Sequence, residues 1–149
     1  MKSKSFWFRV IIALLILLAG FNLYFHLRLD RQEDVHMAAV EESAHPLGVT
    51  VVLCNESDTE VESGNPHIVR LQRKILGLWF PVWRDFTAAC TGEAFGYSPH
   101  AWHEVELGWK GAYGEKGPGT YRVLKRFWTS PAAGEWEIFW LSAEFTIPK

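Results

Sequence analysis

The side chains with the most chemistry in them gather in His100-Ala101-Trp102-His103-Glu104, with Cys90 upstream and Glu106 just beyond. Imidazole, thiolate and carboxylate are the groups that hold zinc, and the same groups run acid–base hydrolysis when they converge. The spacing argues against both uses. Histidines at 100 and 103 do not form the His-Glu-x-x-His helix motif, and on a strand an odd separation sends them to opposite faces. A small exported metal-binding or hydrolytic domain using Cys90, His100, His103 and Glu104 is therefore the alternative expectation; loop and strand-edge histidines are the simpler reading. Gly96-Tyr97-Ser98-Pro99-His100 approaches the Gly-x-Ser-x-Gly nucleophile elbow but lacks its last glycine, and no helical pattern follows it. A Ser-Pro turn accounts for it. Glu104 and Glu106 share a strand face with Cα atoms about 7 Å apart, a spacing that superficially suits paired carboxylates, although a solvated face explains them more simply. Asp58, Glu60 and Glu62 alternate near Gly64 without matching a calcium loop, as an exposed acidic hairpin does. No catalytic centre, metal or cofactor is expected.

Two further constellations concern structure and recognition. Cys54 and Cys90 lie 36 positions apart (90 − 54), and in an oxidising compartment a disulfide closing that loop would stabilise by about 3–4 kcal/mol. Two free buried thiols are the other reading, since cysteine is also a common core residue. Trp102 and Trp140 fall on the polar faces of their strands, and if those faces are neighbours they form, with Glu104 and Glu106, an apolar patch of the kind that receives a partner. Cover by loops or a second sheet is the competing outcome.

These residues need a scaffold, and 149 residues at 48% hydrophobic and 15% aromatic content allow one ordinary domain plus an extra segment. A net charge of −2 and a pI near 6.3 provide no basic footprint for nucleic acid. The extra segment is residues 6–25, beginning at Phe6 and ending at Phe25, after a short basic stretch at 1–5. Roughly 20 apolar residues make about 30 Å of helix, enough to cross a bilayer's hydrocarbon. Trp7 and Tyr24 suit the two interfaces, and Arg9 lies close enough to an end to snorkel. A cleaved signal peptide is the rival, but the run is longer than a usual apolar region and the bulky Asn22-Leu23-Tyr24-Phe25-His26-Leu27 offers no small-x-small site. Lys2 and Lys4 before the run and Arg9 near its start, against Arg28 and Arg31 after it, place the N-terminus inside by a narrow margin. The expectation is a single-pass protein of the cell membrane with its C-terminal domain extracytoplasmic. Residues 26–48 mix charge, alanine and histidine without an apolar face and are read as a juxtamembrane stalk. Pro46 and Gly48 mark the boundary of a domain at 49–149.

From Val49 the pattern has a period of two. Val49, Val51 and Leu53 open a first strand, and a short edge strand is expected within 55–66. Strands follow at 68–74, at 78–83 with Pro81 confining that one to an edge, and at 101–109. Gly117-Pro118-Gly119 then turns into Thr120-Tyr121-Arg122-Val123-Leu124-Lys125-Arg126-Phe127, with Tyr121, Val123 and Phe127 on one side and Thr120, Arg122 and Arg126 on the other. The last strand is the most regular, Phe139, Leu141, Ala143, Phe145 and Ile147 pointing one way and Trp140, Ser142, Glu144 and Thr146 the other. About seven strands at turn spacing, with no helix between them, make an all-β antiparallel sandwich preceded by one transmembrane helix.

Asn55-Glu56-Ser57-Asp58-Thr59-Glu60, Leu71-Gln72-Arg73-Lys74 leading into Trp79-Phe80-Pro81-Val82, the stretch from Gly117 to Lys125, and Ala143-Glu144-Phe145-Thr146-Ile147 together resemble a bacterial immunoglobulin-like domain of secreted and cell-envelope proteins. The resemblance implies an Ig-like β-sandwich outside the membrane with no catalytic residues to carry over. Tyr121, just past a turn at the start of a strand, is expected as a structural corner whose hydroxyl reaches back to the backbone, as tyrosine corners do in such sandwiches. The function expected is a membrane-anchored Ig-like interaction module that is not an enzyme, with the membrane held through Phe6 to Phe25 and a protein or cell-wall partner. A purely structural spacer is the remaining alternative.

Overall fold

The computed structural model describes residues 4–85, 92–129 and 136–149. An apolar helix, α1 (Lys4–His26), leads into nine described strands: β1 (Val35–Ala39), β2 (Gly48–Asn55), β3 (Val61–Gly64), β4 (Arg70–Ile75), β5 (Leu78–Pro81), β6 (Ala94–Tyr97), β7 (Ala101–Gly108), β8 (Gly119–Thr129) and β9 (Glu137–Ile147). A single helical turn, α2 (Lys110–Tyr113), separates β7 from β8. The strands form two antiparallel sheets, a three-stranded one in the order β1-β2-β7 and a six-stranded one running β5-β4-β8-β3-β6 with β9 on the other side of β8.

Strand β8 is the axis of the larger sheet. One edge pairs with β9 along its whole length, Gly119↔Ile147 to Thr129↔Glu137. The other edge is shared, β4 taking Tyr121 to Leu124 and β3 taking Phe127 to Thr129. Alternation turns Tyr121, Val123 and Phe127 inward, where they meet Phe139, Leu141, Phe145, Val51, Leu53 and Leu107 in one core between the sheets. Gly119 opens the strand at φ 153°, where a Cβ would lie 3.2 Å from the Arg73 guanidinium. The hydroxyl of Tyr121 donates to the Gly117 carbonyl at 2.9 Å, closing the turn at a net value of about 1 kcal/mol.

Two of the nine strands lie where the sequence pattern predicts none. Residues 26–48 are not a free stalk: β1 pairs with β2 from Val35↔Asn55 to Ala39↔Val51, and Val35 and Met37 enter the core. Strand β6 adds an edge to β3 in a segment without periodicity. The structural basis of the run after β2 is Asn55, which is fully buried. Its amide nitrogen donates to the carbonyls of Thr59, Tyr97 and Ser98, and its Oδ1 accepts from the Ser57 backbone and hydroxyl. One side chain thereby ties the end of β2 to the turn between β6 and β7.

Lys125 lies on the inward side of β8 and is 2% exposed. Its ammonium donates to the carbonyls of Gly64 and Asn65 at 2.9 and 3.0 Å, and burial pushes its pKa down to about 8. An unfolded lysine titrates near 10.4. Between those two values the unfolded chain holds more protons than the folded one, so stability rises with pH through that window, and below about 8 the penalty of the buried charge is fully present. From pH 8 to 10 the urea midpoint of the native protein should rise relative to that of Lys125→Met, with a slope of no more than about 1.4 kcal/mol per pH unit. A midpoint difference independent of pH would contradict the buried ammonium.

Candidate functional site

The residues singled out by type do not come together. Trp102, Glu104 and Glu106 face outward from β7, and Trp102 is 76% exposed. Trp140 belongs to the other sheet, on β9, where it is half-buried with the Arg70 guanidinium 4.5 Å above its ring. One shared patch of Trp102 and Trp140 is therefore ruled out, because the outward faces of two packed sheets point in opposite directions. What remains, among the described residues, is an uncovered face on the three-stranded sheet, with Trp102, Glu104 and Glu106 beside Cys54, Val52 and Thr50 in register.

The three described residues of the metal or hydrolytic alternative, His100, His103 and Glu104, are likewise dispersed. His100 stands at φ 52° in the turn before β7, its Nε2 2.9 Å from Asp58 Oδ1 at the surface. His103 turns inward, edge-on to Tyr97 at 5.4 Å, while Glu104 turns outward, as strand alternation requires. Cys90 lies outside the described residues. Among the described residues no three of His, Cys, Asp and Glu are placed to hold a metal ion. The expected disulfide is not supported: Cys54 is a free thiol with its Sγ 3.7 Å from Glu56 Oε1. Loss of solvent, then the Glu56 carboxylate, pushes that thiol up and keeps it protonated near neutral pH.

A different constellation forms where the apolar helix meets the sandwich. The last turns of α1 and the chain after it cross the outer face of the larger sheet one strand at a time. Asn22 Oδ1 accepts the backbone N–H of Trp79 on the edge strand β5 at 2.8 Å. His26 Nδ1 lies 3.1 Å from Arg122 Nη1 on β8. Asp30 then reaches β9, taking the Ser142 N–H and hydroxyl at 2.7 and 2.6 Å while its own N–H donates to the Trp140 carbonyl. Gln32 adds a bond to Glu137 at 2.8 Å.

Arg122 is the centre of this joint. It faces outward yet is 1% exposed. Its Nε and Nη2 fork onto Gln72 Oε1 at 2.9 and 2.6 Å, and its Cζ lies 4.5 Å over the Trp79 ring. A guanidinium only donates, so His26 accepts at Nδ1 and carries its proton on Nε2. Burial lowers the Arg122 pKa, and the Glu144 and Asp30 carboxylates pull it back up. The group stays charged at neutral pH, since arginine starts so high. Beside it opens a cavity of about 690 Å³, walled by Leu18, Phe21 and Phe25 of the helix and by Trp79, Trp83 and Tyr113 of the domain.

None of Asn22, His26, Asp30 or Arg122 stands out by a catalytic motif. Asn22 carried the one available signal, a polar residue inside an apolar run, which needs a partner wherever water is scarce. The arrangement ties the sandwich to the helix end through Asn22, His26 and Asp30. Arg122→Ala should lower the denaturation midpoint of the full chain in micelles by the equivalent of about 2–4 kcal/mol, and Arg122→Lys should recover little, because an ammonium cannot fork to Gln72 while reaching His26. A midpoint unmoved by either substitution would contradict the joint.

A family model described as a bacterial Ig-like domain matches residues 31–146. Comparison with curated proteins and with solved structures gives no match. The matched region begins before β1, in keeping with the part that strand plays in the sheet.

Proposed function

The chain belongs to the bacterial Ig-like domain family, and from that premise we propose that it is a single-pass, membrane-anchored interaction module without catalytic activity, displaying its sandwich outside the cytoplasm to a protein or cell-wall partner. The segment Phe6–His26 supports the anchor, being long and apolar enough to cross a membrane. Side chains such as Leu14, Ile16 and Leu17 are 60% or more exposed along it, a state that suits lipid and not water. Asn22, His26 and Asp30 bind folded strands, which supports retention of the segment in the mature protein.

The observation that carries the binding half is Trp102. A tryptophan left 76% exposed, when Trp109 of the same chain is 1% exposed, leaves a large apolar surface in water with no gain in stability, and a partner removes that penalty. Strand β7 is an edge of its sheet in the described residues, and Glu104 and Glu106 follow the indole along the same face, so the complementary surface is apolar at one end and basic beside it. The three-stranded sheet faces away from the helix joint, which leaves this surface accessible while the anchor is engaged.

A photoreactive residue at position 102 in the native membrane should give a discrete crosslinked adduct that is absent with the same residue at Lys116 and lost on Glu104→Lys with Glu106→Lys. Identical adduct patterns from both positions would contradict the assignment. Carbonate-resistant sedimentation with membranes tests the anchor, and release of the full-length chain into the supernatant would contradict it.

A further inference from the structure

Two features of the larger sheet's β5 edge are unexplained by the sandwich itself. Leu76 sits at the tip of the β4–β5 hairpin at φ 51°, followed by Gly77 at φ 82°. This is a two-residue turn closing on the pair Ile75↔Leu78, and asparagine or aspartate normally takes the first left-handed position. Leucine gains nothing there from its backbone, and at 99% exposed it gains nothing from packing. At the other end of β5 stands Trp83, 85% exposed, with the half-buried Trp79 and Phe80 between them. The second feature is the cavity of about 690 Å³, where Leu18, Phe21 and Phe25 of α1 face Trp79, Phe80 and Trp83, with Arg70, Arg84 and Arg122 also in its lining.

The contact of Asn22 with the Trp79 N–H sets the depth of this edge. Asn22 precedes Phe25, the last residue of the apolar run, by 3 positions (25 − 22), so β5 lies about 4.5 Å inside the end of that run. The joint then proceeds from β5 to β8 to β9 as the chain leaves the helix, which makes β5 the strand nearest the bilayer and β9 the farthest. An edge strand held at that level, with apolar side chains at both of its ends, would touch lipid if α1 spans a bilayer.

We propose that the β5 edge, from Ile75 and Leu76 to Trp83, is a lipid-contacting foot that beds the sandwich into the headgroup–acyl boundary of the leaflet, with lipid acyl chains filling the cavity between α1 and Trp79. The inference rests on the reading of α1 as a membrane-spanning anchor. It gives the hairpin tip its occupant, since leucine costs least where the surroundings are hydrocarbon, and it gives Trp79 and Trp83 the amphipathic boundary that indoles favour. It also explains Asn22: β5 is an edge strand, and at that depth its free N–H has no water to bond, so the helix supplies the acceptor.

The test uses the full chain with Cys54→Ser and Cys90→Ser, reconstituted in phosphatidylcholine–phosphatidylglycerol vesicles, with an environment-sensitive fluorophore on one introduced cysteine at a time: Leu76→Cys, Glu104→Cys or Leu14→Cys. Leu76 and Glu104 are both exposed, so labelling either leaves the core intact. Lipids carrying a nitroxide on the acyl chain should quench the labels at 76 and 14 several-fold more than the label at 104, and aqueous iodide should do the reverse. Quenching by lipid at 14 but not at 76 overturns the foot and leaves the anchor standing. Shielding of 76 from both quenchers also overturns it, in favour of a protein covering the hairpin. Failure of lipid to quench 14 overturns the anchor and the foot with it.

Discussion

A buried guanidinium on the outside of a sheet is the constraint on which this structure turns. Arg122 faces outward from the central strand β8, where an arginine would ordinarily extend into solvent. Here it is covered, and a covered charge must find every one of its partners within the protein. Gln72 supplies a carbonyl from β4, Trp79 a ring from β5 and His26 a ring nitrogen from the end of α1. Three separate stretches of chain are held to one group, and removing Gln72 or His26 leaves guanidinium N–H groups without their acceptor in a place water reaches poorly. Asn22 and Asp30 extend the same attachment to the two sides of Arg122, so the helix end is held against β5, β8 and β9 together. The consequence is a domain whose orientation is set by its contacts with α1 instead of by a flexible tether.

That orientation divides the surface into two parts with different chemistry. The larger sheet is occupied on its outer face by the helix end and the chain that follows it. Among the described residues nothing covers the three-stranded sheet, and its outward row of Trp102, Glu104 and Glu106 combines an apolar ring with two carboxylates. A module that is both fixed and one-sided presents the same face to its surroundings in every copy, which lowers the entropy lost when a partner binds.

Much of the sandwich was legible in the sequence because its strands alternate strictly. In β9, alternate residues from Phe139 to Ile147 turn inward and from Ile138 to Thr146 outward without exception, and β8 alternates in direction from Tyr121 to Phe127 with Lys125 as a polar residue on its inward side. Strand β1 was not legible, since Val-His-Met-Ala-Ala has weak strand propensity and acidic residues on both sides, and its place in the core comes from pairing with β2. Strand β6 is four residues long and relies on β3. The joint was hidden for a different reason: Arg122 and His26 are 96 positions apart, and Trp79 and Asn22 are 57 apart. Alternation correctly put Arg122 on the outer face, but only the folded chain shows that a helix end covers it. Motif reading was drawn instead to His100, His103 and Glu104, whose proximity in sequence is undone by the same alternation that made the strands readable.

The central claim is that helix and sandwich form one rigid unit through Arg122, and pulsed electron spin resonance on the full chain in lipid nanodiscs measures it directly. Spin labels at Leu15 on the helix and Lys116 on the domain should give a single narrow distance distribution that broadens in Arg122→Ala. A broad distribution in the native chain, unaffected by that substitution, would mean that the domain hangs from a flexible stalk and would contradict the account.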